Sequence, residues 1–185
     1  MGFVILDLEA TCWKPDQPGR EQEVIEIGAC LLNPLCEIDS RFSKLIKPEK
    51  FPFLSTYCVS LTGISQEEIN RSRTFDVVWH EFLDWIDEHA DDSIGIFCWG
   101  KYDRELLLNS CYKYGLPADC LNSYSDLKQA YAYMKGLSKQ VGLDRALTME
   151  GISFEGNRHR ALPDAYNLSK LFVKYFDEFL NGRRR

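Results

Sequence analysis

The chain has 185 residues, of which 45% are hydrophobic and 27% are charged, and its formal net charge is −6. These values fit one globular domain that is large enough to bury a core, and they exclude a largely disordered chain. The negative charge argues against tight, non-specific binding to duplex nucleic acid, which usually leaves a basic footprint on the sequence.

Strand patterns come first along the chain. Side chains alternate along Phe3–Glu9, which places Asp7 and Glu9 on the same face as Phe3 and Ile5. A turn rich in proline and glycine follows, and two further strands complete a predicted antiparallel opening, at Trp13–Gly19, Val24–Leu32 and Ile38–Ile46.

Helical patterns then alternate with strands. The predicted helices are Ser55–Leu61, Gln66–Ile69, Phe75–His89, Lys101–Tyr114, Leu127–Met134, Lys139–Leu147 and Ala161–Leu180. The remaining strands are predicted at Ile94–Cys98 and Ser123–Ser125, and a loop is predicted at Gly151–Arg160. This order predicts an α/β fold, with a mixed sheet of three antiparallel and then parallel strands covered by helices on both faces. We expect one domain over residues 1–182 and a short basic tail over residues 183–185.

The sequence carries no membrane or secretion signal. No apolar run approaches the roughly 20 residues that a membrane span needs, so we expect no membrane partner. The start of the chain lacks the basic and apolar segments of a secretory signal. The seven cysteines are scattered, without the Cys-x-x-Cys spacing of a zinc or redox site. These features predict a cytoplasmic protein whose cysteines are buried as free thiols.

The sharpest chemical feature is the tripeptide Asp7-Leu8-Glu9. Two carboxylates at positions i and i+2 of a strand point to the same face, and like charges held so close raise each other's pKa. A hard divalent cation such as Mg²⁺ or Mn²⁺, which prefers oxygen ligands, would relieve that repulsion. The alternative is a strand that ends before Asp7 and leaves both acids in solvent at a turn.

Two further acids lie near the starts of predicted helices. Asp164 continues the apolar side of the last helix, where a charged group needs a partner. Asp103 has the same placement in the helix that follows the buried strand Ile94–Cys98. For both acids the alternative is a simple first-turn interaction with the helix dipole. The apolar side of the last helix consists of Leu168, Leu171, Phe172, Tyr175 and Phe179.

His159 lies in the predicted loop, five residues before Asp164. An unperturbed histidine pKa of about 6.5 suits a general base that works near neutral pH. The alternative is an ordinary loop histidine at the surface. The other two histidines, His80 and His89, belong to an amphipathic helix and are expected at its solvated side.

Taken together and in this order, these segments resemble the DEDDh branch of 3′→5′ exonucleases, which have a ribonuclease-H-like fold. The resemblance covers roughly residues 3 to 175, nearly the whole chain. Within that branch the sequence looks most like Eri-type exoribonucleases and the bacterial KapD group. The segments that carry the resemblance are FVILDLEAT at 3–11, VIEIGA at 24–29, LTGI at 61–64, WGKYDRELL at 99–107 and HRALPDA at 159–165.

The resemblance implies a catalytic set of Asp7, Glu9, Asp103, His159 and Asp164. The four acids would bind two Mg²⁺ or Mn²⁺ ions, and the histidine would serve as the general base. The substrate would be the 3′ end of a single-stranded nucleic acid, with RNA favoured over DNA, and the product a nucleoside 5′-monophosphate. The pocket for the terminal nucleotide would be formed by Ala10, Thr11, Leu61, Thr62 and Ile64.

Side chains beside these segments are candidates for further substrate contacts. Aromatic residues that offer a ring to a base are Trp13, Phe51 and Tyr57. Basic residues that flank the catalytic segments are Lys101, Arg104, Arg158 and Arg160. Glu26, on the second strand, is expected near Glu9 as an additional acid beside the site.

Two other functions stay open on sequence grounds. A non-catalytic relative would bind a protein or an RNA without cutting it, although the presence of all five catalytic residues speaks against this. A phosphodiesterase acting on dinucleotides or on DNA would use the same site.

Overall fold

The structure is a computed structural model that describes residues 2–14, 19–89 and 94–181. Its centre is a five-stranded sheet with the strand order β3-β2-β1-β4-β5. The β1–β2 and β2–β3 pairs are antiparallel, whereas the β1–β4 and β4–β5 pairs are parallel, which confirms the predicted mixed sheet. The strands are β1 at Gly2–Ala10, β2 at Val24–Leu32, β3 at Ile38–Leu45, β4 at Ile94–Cys98 and β5 at Tyr124–Asp126.

Eight α-helices within the described ranges accompany the sheet, and a short 3₁₀ helix at Asp119–Ser123 precedes β5. In chain order the helices are α1 at Thr56–Thr62, α2 at Gln66–Arg71, α3 at Phe75–His89, α4 at Tyr102–Tyr114, α5 at Leu127–Met134, α6 at Leu143–Met149, α7 at Ala161–Lys174 and α8 at Phe176–Asn181. No helix in the described part of the chain is long and apolar enough to cross a membrane.

The alternation of β1 divides the core into two layers. Val4 and Leu6 pack on one side with α3 and α4, where Phe82 and Leu107 are buried. Phe3 and Ile5 pack on the other side with the four C-terminal helices, which confirms the expected helix layer on each face of the sheet. Because Asp7 and Glu9 follow Ile5 at the same period, β1 presents their carboxylates on the side of α7.

Short capping interactions fix the segment that follows β3. Ser55 caps α1 by accepting a hydrogen bond from the Cys58 backbone N–H, and α1 ends at Gly63 with a φ of 70°. Ser65 and Glu68 form a capping box that starts α2 immediately afterwards. The turn between α1 and α2 therefore has a defined conformation that its own sequence explains.

Two predicted helices were too long. The segment predicted as Lys139–Leu147 begins only at Leu143, because Gly142 is extended and caps the helix. The last helix is interrupted at Tyr175, whose φ of −121° and ψ of 33° lie outside the helical region. This break lets Phe176 and Phe179 both contact Phe172, at centroid distances of 5.7 and 6.2 Å. Tyr175 itself is half-buried rather than part of the fully buried stripe. The predicted basic tail and the end of the predicted domain lie outside the described residues.

Gly28 explains how α7 comes so close to the sheet. It lies in the middle of β2, opposite Asp7 of β1. A Cβ atom at this position would lie 2.1 Å from the backbone nitrogen of Leu162 and 2.2 Å from the carbonyl carbon of Ala161. The first turn of α7 therefore rests directly on the backbone of β2, next to the strand that carries the acidic pair.

We expect Gly28→Ala to destabilise the protein by about 1–3 kcal/mol or more, since the methyl group would push α7 off the sheet. Urea unfolding followed by circular dichroism measures this loss. Gly142→Ala is the matched control, because its added Cβ would meet nothing within 4 Å. Equal stability of the Gly28→Ala variant and the wild type would contradict the close approach of α7 to β2.

Candidate active site

Three of the predicted acids meet at the end of β1. Asp7 and Glu9 project from β1, and Asp164 lies in the first turn of α7. Each offers one carboxylate oxygen, and these three oxygens all lie within 4.8 Å of one another. Residues that are more than 150 positions apart in the sequence thus form one cluster, as the sequence predicted.

The three clustered acids are electrostatically unfavourable as a bare group. Burial, followed by the charges of Asp103, Asp164 and Glu9, raises the pKa of Asp7 well above its usual value. Burial and the neighbouring Asp164 raise the pKa of Glu9 to about 8. Burial also raises the pKa of Asp164 to about 6. A cluster of this kind needs either protons or cations to become stable.

Asp103 lies behind this cluster, in the first turn of α4, and is only 7% exposed. Burial raises its pKa to about 7, although hydrogen bonds from its own backbone N–H and from that of Leu8 act in the opposite direction. Asp103 is the largest charged contributor to the raised pKa of Asp7, so the two carboxylates belong to one electrostatic unit. Direct metal binding by Asp103 stays a prediction.

His159 lies at the rim of the site. The residue is exposed and has a φ of 59°, in the left-handed region that favours glycine and asparagine. Its backbone N–H hydrogen-bonds to the Asp164 carboxylate, which fixes the loop beside the acids. Its imidazole has no hydrogen-bond partner in the part of the chain that the structure describes, and its role as a base stays a prediction.

A buried ion pair holds this loop to the sheet. Glu26 is 1% exposed and lies opposite Glu9 on β2, as expected from the sequence. Arg160 donates hydrogen bonds from Nε and Nη2 to the two oxygens of Glu26, at 3.0 and 2.9 Å. The Ala161 backbone N–H donates a further bond to Glu26, at 3.0 Å. Glu26 therefore fixes the entry into α7, on which both His159 and Asp164 depend for their positions.

We expect Glu26→Gln to lower the free energy of unfolding by roughly 2–4 kcal/mol, since it leaves the half-buried Arg160 without its charge partner. Chemical denaturation measures the effect. The control is Glu67→Gln, because the side chains of the Arg71–Glu67 pair are 78% and 71% exposed. Such an exposed pair contributes less than about 1 kcal/mol. Similar losses in the two variants would show that the Glu26–Arg160 pair does not anchor α7.

The residues predicted to hold the terminal nucleotide differ in accessibility. Thr11 and Thr62 are both 2% exposed, and their hydroxyls accept hydrogen bonds from the backbone N–H groups of Glu23 and Ile64. Ile64 is fully buried in a small core with Ile25, Cys58 and Ile69. Ala10 and Leu61 are half-buried and offer side-chain surface to a ligand. Substrate binding by these five residues stays a prediction.

Three of the four basic residues considered for phosphate contacts have other partners. Arg104 donates to the Leu121 carbonyl at 3.2 Å, and Arg158 donates to both oxygens of Asp144 at 3.0 Å. Arg160 is bound to Glu26. Lys101 is exposed, and it has no ion pair with a residue that the structure describes. Lys101 and Arg104 thus have no ion pair within the described ranges, and of these two Lys101 also has no side-chain hydrogen bond there.

The donor set at the cluster fits a hard divalent cation. Asp7, Glu9 and Asp164 offer carboxylate oxygens, the ligand type that Mg²⁺, Ca²⁺ and Mn²⁺ prefer, and no sulfur or imidazole takes part in the group. Burial and mutual repulsion both raise the pKa values of these acids, so their ionised forms are unfavourable without a bound cation. Divalent cations would supply that charge.

We expect the melting temperature of metal-free protein to fall as the pH rises from about 5.5 to 8. The folded-state pKa values of Glu9, Asp103 and Asp164 are raised to about 8, 7 and 6, so these groups are protonated at the lower pH and repel one another at the higher pH. Millimolar Mg²⁺ or Mn²⁺ should reverse most of the fall at pH 8. Differential scanning fluorimetry with and without metal tests this, and a metal effect of equal size at pH 5.5 would contradict it.

Comparison with known proteins identifies the family. The model of the RNase T family, described as exonuclease, matches residues 4–172. The chain belongs to the RNase T exonuclease family. The family match includes all five predicted catalytic residues within its range.

The names of individual relatives are consistent with this family. ERI1 exoribonuclease 2 from Xenopus laevis is 32% identical over 190 residues, which covers 91% of this chain and 27% of the frog protein. The 3′-5′ exoribonuclease 1 of Homo sapiens is 29% identical over 184 residues, covering 94% of this chain and 52% of the human protein. The chain thus spans between about a quarter and a half of the length of these two curated relatives.

A solved structure gives the same result for the fold. The nuclease domain of 3′hExo, a DEDDh family member bound to rAMP, superposes with a TM-score of 0.89 at 27% sequence identity. The match covers 96% of this chain and 92% of that domain. The resemblance to DEDDh exonucleases and to Eri-type proteins is therefore confirmed, as is the predicted fold class. The resemblance to the KapD group stays a prediction.

Proposed function

We propose that this chain is a metal-dependent 3′→5′ exonuclease that hydrolyses single-stranded RNA to nucleoside 5′-monophosphates. The observation that carries the proposal is the convergence of Asp7, Glu9 and Asp164 on one point, with Asp103 behind them. The family to which the chain belongs supports an exonuclease, and relatives named exoribonucleases support RNA as the substrate.

Asp7, Glu9 and Asp164 would hold the metal, with Asp103 completing the set for two ions. We favour Mg²⁺ or Mn²⁺ because the group offers carboxylate oxygens alone. Bound divalent cations would polarise the scissile phosphate and stabilise the charge that develops on it. Asp7 would contribute most, since it lies beside all three other acids.

His159 would accept the proton of the attacking water. Its imidazole is exposed at the rim and is free of hydrogen bonds to described residues, so it can approach a phosphate bound over the acids. Glu26, Arg160 and Gly28 would act as positioning residues, because they fix the backbone from which His159 and Asp164 project. The half-buried Ala10 and Leu61 would line the pocket of the terminal nucleotide.

A cytoplasmic location is also part of the proposal. It is supported by the seven cysteines, which are all free thiols, with Cys30, Cys58, Cys98 and Cys111 buried. Free thiols persist in reducing compartments. Fluorescence microscopy of a tagged chain in cells would test the location directly.

The test of the activity is incubation of a 5′-labelled single-stranded RNA with the protein and Mg²⁺ or Mn²⁺. We expect a ladder of products shortened from the 3′ end, nucleoside 5′-monophosphates on chromatography, and no reaction in the presence of a chelator. Absence of degradation over a range of metals and substrates would favour a non-catalytic binding protein. Faster hydrolysis of DNA or of dinucleotides would overturn the choice of RNA substrate.

A further inference from the structure

An aromatic and cationic cluster lies just beyond the catalytic strand. The rings of Trp13 and Phe51 meet edge to face, with their centroids 5.3 Å apart. The guanidinium of Arg20 lies over both rings, 5.1 Å from the Trp13 centroid and 5.2 Å from that of Phe51. We call Trp13, Arg20 and Phe51 the aromatic platform. Both rings are half-buried, whereas Arg20 is exposed and forms the outer layer.

The backbone next to the platform is anchored to the site. The Thr11 backbone N–H donates to the Glu23 carbonyl at 2.9 Å, and the Cys12 carbonyl accepts a hydrogen bond from the Ser55 hydroxyl at 2.6 Å. The Phe51 backbone N–H donates to the Glu23 carboxylate at 2.8 Å. Glu23 therefore holds both the backbone that leads to Trp13 and the backbone of Phe51.

The platform lies within reach of a substrate bound at the acids. Trp13 follows Glu9 by four residues, so their Cα atoms are at most roughly 14 Å apart. Neighbouring nucleotides of a stacked strand are spaced at about 3.4 Å, so a strand whose 3′ end lies at the acids spans this distance within about four nucleotides.

The positive charge of the platform has no acidic partner within the described ranges. Many basic side chains elsewhere are paired with acids, among them Lys50 with Glu21, Lys113 with Glu23 and Lys170 with Glu155. Arg20 has no ion pair or hydrogen bond with a residue in the described ranges. Lys14, 5.7 Å from the Tyr57 ring centroid, also lacks an ion pair there. Positive charge without a described acidic partner therefore lies beside aromatic rings in a chain whose net charge is −6.

We propose that the aromatic platform binds the nucleotides that lie 5′ of the terminal nucleotide in single-stranded RNA. This inference rests on the proposed function of the acidic site. A base stacks on the outer face of the Arg20 guanidinium, while the edge of the guanidinium donates hydrogen bonds to a phosphate. Trp13 and Phe51 support the guanidinium from beneath. Stacking of this type accepts any base. The platform therefore strengthens the binding of longer strands, whatever their sequence.

The first test compares RNA substrates of two and eight nucleotides. Arg20→Ala and Trp13→Ala should lower the ratio of kcat/KM for the octanucleotide to that for the dinucleotide by about 5- to 20-fold. Most of the change should be in KM for the octanucleotide. Trp13→Phe, which keeps a ring under Arg20, should restore most of the ratio. An equal loss on both substrates would overturn the proposal, since it would mean that the platform only supports the catalytic site.

The second test measures binding and does not depend on cleavage. Fluorescence anisotropy of a fluorescein-labelled octanucleotide is recorded in the presence of chelator over a range of salt concentrations. Arg20→Ala should weaken binding by about 5-fold or more and reduce the slope of log K against log salt by about 0.7, the value expected for one lost phosphate contact to a single strand.

The matched control is Arg41→Ala, because Arg41 on β3 also covers an aromatic ring, that of Tyr166, at 5.0 Å. Its affinity and salt slope should equal those of the wild type. If the wild type binds RNA but does not cleave it, the proposed function is wrong. The anisotropy measurement alone then decides whether the platform binds RNA. Unchanged affinity and slope in Arg20→Ala would overturn the platform, whatever the activity.

Discussion

Asp7→Asn is expected to lower kcat by about three orders of magnitude or more and to remove most of the affinity for Mn²⁺. Asparagine keeps the shape of the side chain and removes the charge at the residue that is flanked by Glu9, Asp103 and Asp164. Loss of a metal ligand removes several kcal/mol of stabilisation from the transition state, and each 1.4 kcal/mol corresponds to a tenfold change in rate.

The same substitution should stabilise the metal-free protein. Because burial and four neighbouring acids all disfavour a charge on Asp7, a neutral side chain relieves repulsion that the wild type bears without metal. Single-turnover kinetics, isothermal titration with Mn²⁺ and thermal melting in chelator measure the three effects. Asp84→Asn, an exposed acid on α3, is the control and should change none of them. A metal-free Asp7→Asn protein that melts below the wild type would contradict the repulsion.

Asp164→Asn should lower kcat and the affinity for Mn²⁺, as Asp7→Asn does. Asp164 completes the three-oxygen group from α7, but it also accepts hydrogen bonds from the backbone N–H groups of His159 and Arg160. Asparagine accepts these bonds less well than a carboxylate does. The variant should therefore lose metal affinity and also loosen the loop in front of α7, which makes it the less specific probe of the metal site.

The sequence predicts the acidic cluster because the strand and helix periodicities determine on which face each acid lies. A period of two along β1 places Asp7 and Glu9 on the face of Phe3 and Ile5, and that face contacts α7. A helical period places Asp164 above Leu168 on the inner side of α7. The opposing alternative, in which both acids of β1 lie in solvent at a turn, is wrong because β1 continues to Ala10.

The residues that hold the acidic cluster in place are harder to predict, because they act through contacts between distant segments. Glu26 and Arg160 are 134 positions apart, and no local pattern pairs them. Its position beside a catalytic segment makes Arg160 a candidate for phosphate binding, whereas the structure pairs it with Glu26. A signal was present for Gly28, since a glycine inside a strand often marks a close backbone approach, but its partner Leu162 follows only from the tertiary structure.

The ends of helices also depend on contacts between distant segments, which a local pattern does not predict. The apolar pattern of the last helix runs without interruption past Tyr175, so the pattern alone predicts one helix. The structure breaks the helix at Tyr175, whose hydroxyl contacts Glu150 and Lys135. Those two partners belong to the region around α5 and α6, and their location cannot be read from the residues next to Tyr175.

His159→Asn is expected to lower kcat by about 100- to 10,000-fold while Mn²⁺ binding stays close to that of the wild type. Positioned general bases contribute this much to proton transfer, and the imidazole of His159 is not among the three groups that share a metal position. Asparagine is chosen because it tolerates the left-handed backbone, with φ at 59°, that His159 adopts. It cannot act as a base near neutral pH.

The choice of asparagine separates the lost base from a disturbed loop. Alanine adopts the left-handed backbone less readily than asparagine does, and a shift of the loop would blur the result because the His159 backbone N–H also contacts Asp164. His159→Gly provides the complementary variant, since glycine accepts the same φ and leaves space for a small base. Added imidazole should partly restore its activity but not that of Asp7→Asn. A joint loss of metal affinity and activity in both His159 variants would show that the histidine organises the metal site and does not transfer the proton.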